Sequence, residues 1–447
     1  INNQSGYLGS NAQTLTINSE RLNNSKGVIQ HSGSGALNVS ATEQLQGQEG
    51  QLITGNILTL SGQDIDLSGA STQAGSIQLT AQTLSNQDGE IILTDKAHDS
   101  LIDVQQQLNN IDGRIASQNQ QLIIDTGSMN NQGGQIQFVG NDTASSQFTL
   151  TSRGLINNQT GEIIANTDSL ISADGDINNQ QGKINSNGAL NLQSSGTLSN
   201  LGVNSEIISQ GDLTINANSI NNDQNIQSNA LATISSQAQL DNRGSISSIG
   251  SLNLDSGSLD NSGSLYSQAD VDINNQATMS NTGSIAAQGN TSVNTGSLVQ
   301  SADGQLIAGL NIDNTLSNTP STLRVTSTGT QRNAGTNIAT GDIYLQGSSL
   351  DLSDGSSQGI SIDMQADDAL INTNGVINGD NITLTSKQID NSTGLIVAAD
   401  GLALNTDLLN NQAGDIRHLG ASPLTLAIAN INNQSGYLGS NAQTLTI

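Results

Sequence analysis

The sequence has 447 residues, and its 38 acidic and 11 basic side chains give a formal net charge of −27. Aromatic residues make up only 1% of the chain and hydrophobic residues 33%, which excludes ordinary globular domains, because their cores need bulky apolar side chains. The acidic balance argues against nucleic acid as a partner, since that binding requires clustered Lys and Arg. Cys is absent, which excludes disulfides, thiolate metal sites and Cys nucleophiles.

A short repeat opens the chain and recurs through most of it. Residues 1–8 read INNQSGYL, and degenerate copies begin at Leu22, Ile156, Ile177 and Leu409. The pattern is Leu or Ile, then Asn, Asp or Ser, then Asn, two variable residues, Gly, one variable residue, and Ile or Leu. Most neighbouring copies start about 19 to 24 residues apart, a period typical of a solenoid.

Apolar and polar residues alternate within each repeat, as around Leu190 and Leu192 or around Leu402 and Leu404. A period of two predicts strands with one buried face, and the Gly, Ser, Asn and Thr residues in between would weaken any helix. We therefore predict an all-β fold, a parallel β-helix of about 20 coils with roughly 21 residues per coil, where a coil is one full turn of the solenoid. Two or three short strands per coil would be joined by corners rich in Asn and Gly.

The second Asn of the repeat is expected at these corners, because Asn and Gly both tolerate a left-handed backbone. When coils stack, these side chains would lie above one another and could hydrogen-bond along a ladder. We interpret them as structural caps and not as ligands. The predicted ladder consists of Asn3, Asn24, Asn110, Asn131, Asn158, Asn179, Asn411 and Asn433.

Two irregular stretches interrupt the repeat. Residues 129–156 contain extra sequence and both Phe residues, which predicts an enlarged coil or a side loop. Residues 310–341 lack the repeat and hold one of the two Pro residues, which predicts a protruding loop. The alternative is that these coils are merely degenerate in sequence. For a receptor contact, the candidates are Arg324, Arg332 and Tyr344.

A longer period lies over the short one. Residues 431–447 repeat residues 1–17 without a change, at an offset of 430 residues. We therefore expect residues 1–447 to form a single continuous β-helix, with 431–447 as the first coil of a following 430-residue module. Further copies of the module, in tandem, would be partners of this one.

The residues that could carry chemistry are scattered. His31, His98 and His418 are far apart in sequence, and no zinc-binding His-Glu-x-x-His pattern occurs. Asp367 and Asp368 are adjacent, and neighbouring residues of a strand point to opposite faces, so they should not converge as catalytic carboxylates. We predict no catalytic residue, no metal site and no cofactor, and hence no enzyme.

The repeats resemble those of the filamentous haemagglutinin family of large bacterial exoproteins, which includes the stalks of contact-dependent growth-inhibition toxins. The resemblance rests on the pattern quoted above followed by Leu-x-Leu. It implies a right-handed parallel β-helix, export by an outer-membrane transporter of the two-partner type, and a secreted or cell-surface location on a Gram-negative bacterium. It also implies a structural rod that serves as an adhesin or toxin-presenting stalk and meets a receptor on a host or neighbouring cell.

Two other functions are open at this point. A β-helix enzyme that cleaves polysaccharides would need two carboxylates at a fixed distance, together with aromatic platforms for sugar rings. An ice-binding solenoid would need Thr-x-Thr in register on one face. Thr-x-Thr occurs at residues 14–16 and 383–385, but another coil carries Asn38-Val39-Ser40 instead.

Overall fold

The computed structural model describes residues 1–141 and 145–447, which divide into two compact units, Ile1–Asn229 and Ala230–Ile447. Both units are parallel β-solenoids, and together they contain about 22 coils of roughly 20 residues. Within these described ranges there are no helices, and so none that is long and apolar enough to cross a membrane. The predicted all-β, parallel solenoid class is confirmed, and the single continuous β-helix over 1–447 stays a prediction.

The described residues of the first unit form 23 strands in chain order. They are β1 Tyr7–Ser10, β2 Leu15–Asn23, β3 Val28–His31, β4 Leu37–Gln46, β5 Gln51–Thr54, β6 Ile57–Asp66, β7 Ser71–Ala74, β8 Ser76–Ser85, β9 Glu90–Leu93, β10 Ser100–Asn109, β11 Arg114–Ser117, β12 Gln121–Asn130, β13 Gln135–Phe138, β14 Gln147–Ser152, β15 Ile156–Asn157, β16 Glu162–Ala165, β17 Ser169–Ala173, β18 Ile177–Asn178, β19 Lys183–Ser186, β20 Leu190–Asn200, β21 Glu206–Ser209, β22 Leu213–Asn222 and β23 Asn225–Ser228.

The second unit contains 23 further strands. They are β24 Ala232–Asn242, β25 Ser245–Ser248, β26 Leu252–Asn261, β27 Ser264–Ser267, β28 Val271–Asn281, β29 Ser284–Ala287, β30 Thr291–Gln300, β31 Gln305–Ala308, β32 Leu323–Ser327, β33 Thr330–Asn333, β34 Thr336–Ala339, β35 Ile343–Asp351, β36 Ser356–Gln358, β37 Ser361–Ile371, β38 Val376–Thr385, β39 Gln388–Asp390, β40 Leu395–Asn405, β41 Leu408–Asn410, β42 Asp415–His418, β43 Leu424–Thr425, β44 Asn430–Asn432, β45 Tyr437–Ser440 and β46 Leu445–Thr446.

Each regular coil has three straight segments. In one coil of the first unit they are the separate strands β16, β17 and β18. In most coils the second and third segments join into one strand of about ten residues, whose register shifts at the bend, as between Ala41 and Gln44 in β4. The first segment is a four-residue strand that follows the Asn and Gly corner. We call the outward side of these four-residue strands the short-strand face.

Alternation builds the core of each unit, because every second side chain of a strand points inward. In the first unit Ile163, Ile184 and Ile207 pair in register on successive coils, and each is at most 1% exposed. Parallel pairing keeps such columns intact, since a slip of one residue would turn the apolar side chains outward. The large aromatic pair, Phe138 and Phe148, is fully buried in the same core with ring centroids 6.0 Å apart.

The core of the second unit follows the same rule. Leu265, Ile285 and Leu306 form one inward column on three successive four-residue strands, and all three are fully buried. Aliphatic side chains are enough here because each has to fill only the space between two adjacent coils. The poverty in aromatic residues is therefore compatible with a well-packed interior.

The stretch at 129–156 belongs largely to the stack. Residues of β13 pair with β11 and β16, and β14 pairs with β12 and β17. The two Phe residues, expected in or beside a side loop, are buried because they occupy inward positions of β13 and β14. Part of the connection between these strands, residues 142–144, lies outside the described residues.

The stretch at 310–341 is only partly a loop. Residues 310–322 contain no strand, whereas residues 323–339 form β32, β33 and β34, which pair with β30 and β31 on one side. The expected loop was too long because Leu323 and Val325 alternate with polar residues and are fully buried, as in an ordinary coil. The repeat signature is absent there, but the period of two remains.

Asn and Gly occur at the corners for different reasons. The left-handed backbone falls on the residue before Gly, for example at Gln181 with φ of 55°. Gly182 is needed for close approach instead, since a Cβ atom there would lie 2.1 Å from the carbonyl oxygen of Asn158 in the preceding coil. Neither Asn179 nor Gly182 has the left-handed backbone that was expected of the Asn and Gly at such a corner.

Replacing Gly182 by Ala should therefore destabilise the first unit. The added methyl group forces two coils apart, and overpacking of this kind costs about 1–3 kcal/mol. The free energy of unfolding from urea denaturation measures the loss. Gly55→Ala is the matched control, because a Cβ at exposed Gly55 would meet no atom within 4 Å. Equal effects of the two substitutions would contradict the close-approach explanation.

Candidate functional site

A row of buried Asn side chains runs through the first unit, which we call the Asn ladder. Asn3 Nδ2 donates to Asn24 Oδ1 at 2.7 Å in the first two coils. A longer run follows, in which each Nδ2 donates to the Oδ1 of the next member at 2.7 to 2.9 Å. Its members are Asn86, Asn110, Asn131, Asn158, Asn179, Asn200 and Asn222.

Each ladder amide also binds backbone. Asn158 Nδ2 donates to the carbonyl oxygens of Gly161 at 3.2 Å and Lys183 at 3.1 Å, in addition to Asn179 Oδ1 at 2.8 Å. Its own Oδ1 accepts from Asn131 Nδ2 at 2.7 Å. One buried side chain thus joins its own corner to the coils before and after it, and it leaves none of its polar atoms unpaired, which would cost free energy.

The second unit contains two runs of the ladder. Asn242, Asn261 and Asn281 are joined by bonds of 2.8 and 2.9 Å. A later run is joined by bonds of 2.7, 2.8 and 2.6 Å and comprises Asn372, Asn391, Asn411 and Asn433. Of the predicted residues, the structure brings together Asn3 with Asn24, Asn110 through Asn179, and Asn411 with Asn433.

The sequence prediction missed eight ladder residues, because it selected only corners with two consecutive Asn, and among those it omitted Asn222, which follows Asn221. The residue before the ladder position varies, since it is Ser85 before Asn86 and Asp241 before Asn242. The third residue of each repeat, counted from its first Leu or Ile, was the signal that could have found them. These residues are Asn86, Asn200, Asn222, Asn242, Asn261, Asn281, Asn372 and Asn391.

Two of the runs begin where the preceding coil has a residue other than Asn at the ladder position. Leu67 aligns with Asn86, and Leu352 aligns with Asn372. Because each Nδ2 points towards the following coil, the first Asn of a run has no donor behind it. The buried Oδ1 atoms of Asn86 and Asn372 accordingly have no hydrogen-bond partner.

A second, partly exposed row of Asn lies beside the first. Asn157 Nδ2 donates to Asn130 Oδ1 and Asn178 Nδ2 donates to Asn157 Oδ1, each at 3.0 Å. These bonds point towards the preceding coil, opposite to the Asn ladder. The Oδ1 of Asn178 also accepts from the backbone N–H of Gln180 at 3.1 Å, which shapes the corner.

The predicted receptor residues fall on two segments of the second unit. Arg324 and Tyr344 are register partners on β32 and β35, and the guanidinium carbon lies 4.2 Å from the ring centroid. The pKa of Tyr344 is raised, first by a hydrogen bond with Asp363 and then by the charge of that carboxylate. Arg332 lies on β33, beyond the break at residues 328–329, so the structure joins only Arg324 and Tyr344.

The two Arg residues differ from most other cations of the chain in their pairing. Within the described residues, at least eight of the eleven Lys and Arg residues form ion pairs. Across residues 1–141 and 145–447, neither Arg324 nor Arg332 has a carboxylate within 4 Å, and both side chains are exposed. Their positive charges are therefore open to an external anion.

The loop at residues 310–322 lies partly against the short-strand face. The hydroxyl of Tyr266 donates to the carbonyl oxygen of Leu310 at 3.2 Å. Ala286 and Ile307 occupy outward positions and are nevertheless only 1% and 6% exposed. The expectation of a loop that simply protrudes is wrong for its first residues, because this covered patch of the short-strand face is apolar.

A small cavity of about 140 Å³ remains under this loop. Burial raises the pKa of Tyr266 there, and the charge of Asp313 adds to the shift. The tip of the loop is open to solvent, with Ile312 71% exposed. The cavity is lined by Ser264, Tyr266, Ser284, Ala286, Leu310, Asn311, Ile312 and Asn314.

In the described part of the chain, no three His, Cys, Asp or Glu residues lie close enough together to hold a metal ion. Asp367 and Asp368 do not alternate as predicted, since both lie at the bend of β37 and both are exposed. Asp368 forms an ion pair with Lys387 at 2.6 Å. Thr383 has Asp363 and Ala403 as register partners, so its Thr-x-Thr motif does not continue into an array.

Comparison with known proteins gives one family. The family model described as Haemagglutinin repeat matches residues 1–46, 32–112, 177–244, 248–319, 310–375 and 359–434, which together cover more than half of the chain. No curated protein and no solved structure matches the chain. The match confirms the resemblance that the repeats indicated.

Replacing Asn179 by Ala tests the Asn ladder. The substitution removes the donor to Asn200 Oδ1 and to the carbonyl oxygen of Glu206, and each buried group left unpaired costs about 1–3 kcal/mol. Urea denaturation should show this loss. Asn187→Ala is the control, because Asn187 is exposed on the next segment and should change stability little. A loss as large for Asn187→Ala would argue against the ladder.

Proposed function

The chain belongs to the haemagglutinin-repeat family, and from this premise we propose that it is a structural segment of a secreted, cell-surface adhesin. The supporting observation is the Asn ladder, in which buried side-chain amides join each coil to the next. The haemagglutinin repeat is a structural adhesin repeat and not an enzyme family. The outward faces of the repeated coils would supply the adhesive surface.

The proposal includes the setting that the family suggests. The chain would be exported from a Gram-negative bacterium by an outer-membrane transporter of the two-partner type, and tandem copies of the 430-residue module would lengthen the segment. The same structural role would serve a toxin-presenting stalk. Lack of Cys suits such export, since a chain that crosses an oxidising space unfolded cannot form wrong disulfides.

Within this function, we propose Arg324, Tyr344 and Arg332 as a receptor contact. A chain of net charge −27 repels anionic cell surfaces in general. Exposed Arg residues without carboxylate partners are local exceptions, and Arg binds carboxylate, sulfate or phosphate groups through its planar guanidinium. Tyr344 holds the Arg324 guanidinium over its ring, which reduces the ordering required on binding. The expected ligand is an anionic group of a cell-surface receptor.

Binding of the purified, fluorescently labelled chain to host epithelial cells and to bacterial cells tests both proposals. We expect saturable binding to at least one cell type, and we expect the double variant Arg324→Ala with Arg332→Ala to lose most of it. Each lost contact to an anionic group is worth about 1–3 kcal/mol, which corresponds to roughly five-fold to a hundred-fold in affinity. Flow cytometry over a concentration series gives the affinity.

Arg417→Ala is the matched control. Arg417 also lies over a tyrosine ring, with 5.9 Å between its guanidinium carbon and the ring centroid of Tyr437, but it is ion-paired with Asp415. This control and the double variant should both keep the stability of the parent chain, since exposed side chains contribute little to coil stacking. Unchanged binding by the double variant would remove the receptor contact, and absence of binding by the parent chain would count against the adhesin.

A further inference from the structure

Four buried carboxamide side chains lie together in the coil formed by β32, β33 and β34 and at its border with the preceding coil. Gln331 and Asn333 are the inward residues of β33, and Asn337 is inward on β34, directly after the corner. Gln300, on the preceding coil, is the register partner of Asn333. All four side chains are at most 1% exposed. We call these four residues the carboxamide cluster.

Hydrogen bonds to the backbone fix the orientation of the two Gln amides. Gln300 Nε2 donates to the carbonyl oxygens of Gly304 at 2.9 Å and Thr336 at 3.2 Å. Gln331 Nε2 donates to the carbonyl oxygen of Gln346 at 2.6 Å. An amide oxygen in either place would face another acceptor, so the remaining polar atom of each group must be its oxygen.

The oxygen atoms of the carboxamide cluster have no hydrogen-bond partner within the protein. Gln300 Oε1, Gln331 Oε1, Asn333 Oδ1 and Asn337 Oδ1 are all buried and unpaired, and Asn333 Nδ2 is unpaired as well. At the first Asn of a ladder run a single oxygen is left over, because the preceding coil has no donor. Here four oxygens are left over on two successive coils. Each buried unpaired group costs free energy, so such a group of acceptors indicates a ligand that attracts oxygen.

The carboxamide cluster also interrupts the aliphatic core. Asn337 and Ser357 occupy successive positions of an inward column that continues with Leu306 on one side and Ile377 on the other. Both side chains are smaller than the aliphatic ones, so this part of the column holds less side-chain volume. The polar positions give up apolar burial without completing their own hydrogen bonds, and the packing of coils therefore does not account for them.

We propose that the carboxamide cluster is an internal binding site for a monovalent alkali cation, Na⁺ or K⁺. Carbonyl oxygens are ligands of hard cations in proteins, and rings of uncharged carbonyls bind K⁺. A divalent ion would lack the carboxylates that balance its charge in a buried place. One water molecule donates only two hydrogen bonds and would leave two of the four oxygens unpaired. The sequence prediction of no metal site rested on His and carboxylate residues, and this cluster contains neither.

A bound cation would connect the core to the proposed receptor contact. Arg332 lies between Gln331 and Asn333 in the sequence, so the ion would hold the strand that presents this side chain outward. It would also join two coils, since Gln300 belongs to the preceding one. The link to adhesion rests on the proposed function, whereas cation binding itself does not.

Hydrogen–deuterium exchange with mass spectrometry tests the site in the full chain. Exchange is compared in KCl, NaCl and choline chloride at equal ionic strength, so that screening of the net charge is the same in all three. At a cation concentration ten times its Kd, local opening falls about eleven-fold. Peptides that cover 330–339 should therefore exchange roughly ten-fold more slowly in KCl or NaCl than in choline chloride, and peptides of β16 to β19 should not. Equal exchange at 330–339 in all three salts, as expected for ordered water, would overturn the proposal.

The variant Gln331→Leu removes one ligand. It should keep the fold, because Leu298 and Leu350 are the register partners of Gln331 and Leu continues their column. The difference between salts at 330–339 should be lost in this variant. A difference that persists would contradict the assignment of the cation to this cluster.

The matched control is Asn372→Leu. Asn372 has one unpaired buried oxygen in the same unit but lies outside the carboxamide cluster, and Leu352 holds its position in the preceding coil. This control should keep the difference between salts at 330–339. Its equal loss in Asn372→Leu and Gln331→Leu would argue against a specific site.

A second variant, Asn337→Ile, carries the same expectation as Gln331→Leu, because Ile restores an aliphatic side chain next to Leu306 in the column. Circular dichroism verifies that each variant keeps the strand content of the parent chain. Exchange is measured without cells, so cation binding and the adhesin can fail independently.

Discussion

The parallel register between successive coils is the constraint on which the rest of the structure depends. A strand in this stack has two neighbours that repeat its own pattern, so an inward Ile such as Ile184 meets Ile163 on one side and Ile207 on the other. Aliphatic side chains of similar size are then enough to fill the interior, and each coil contributes a similar set of them. This explains how a chain with 1% aromatic residues fills its interior without the large, irregular core of a globular domain.

The same register determines the corners. Once coils are stacked at strand spacing, the corner residue of one coil lies against the backbone of the next, and only Gly leaves room there, as at Gly182. The Asn of the corner then finds an identical amide above and below it and can donate to one while it accepts from the other. The spacing between stacked coils therefore accounts for both the Asn and the Gly of the repeat. A substitution of either residue affects the neighbouring coil as well as its own.

The fold could be predicted from the sequence because the repeat and the alternation of apolar and polar residues can both be read directly from the order of residue types. Part of the Asn ladder could be predicted for the same reason. The loop predicted at 310–341 was too long, because the Asn and Gly signature is missing there although the alternation of a strand continues. Leu323 and Val325 show this alternation. The expectation that Asp367 and Asp368 point to opposite faces of a strand also failed. The bend within a long strand exposes adjacent residues, and no local signal predicts where that bend falls. The covering of Ala286 by the loop depends on contacts between residues distant in sequence and could not be read from composition.

Residues 300–337 of the second unit, in and beside the irregular coil, depart from the regular pattern of buried side chains. Buried polar atoms without partners concentrate there among the described residues, at Gln300, Ser301, Gln331, Asn333 and Asn337. Each such atom reduces stability, and a regular Asn ladder would have removed several of them. Unsatisfied groups tend to persist where the surrounding sequence serves another purpose. This coil is also the one that carries the loop at residues 310–322 together with Arg324 and Arg332, whose side chains add nothing to the core. The unpaired buried atoms and the exposed Arg residues thus occur in the same part of the second unit, where the sequence is least constrained by the regular repeat.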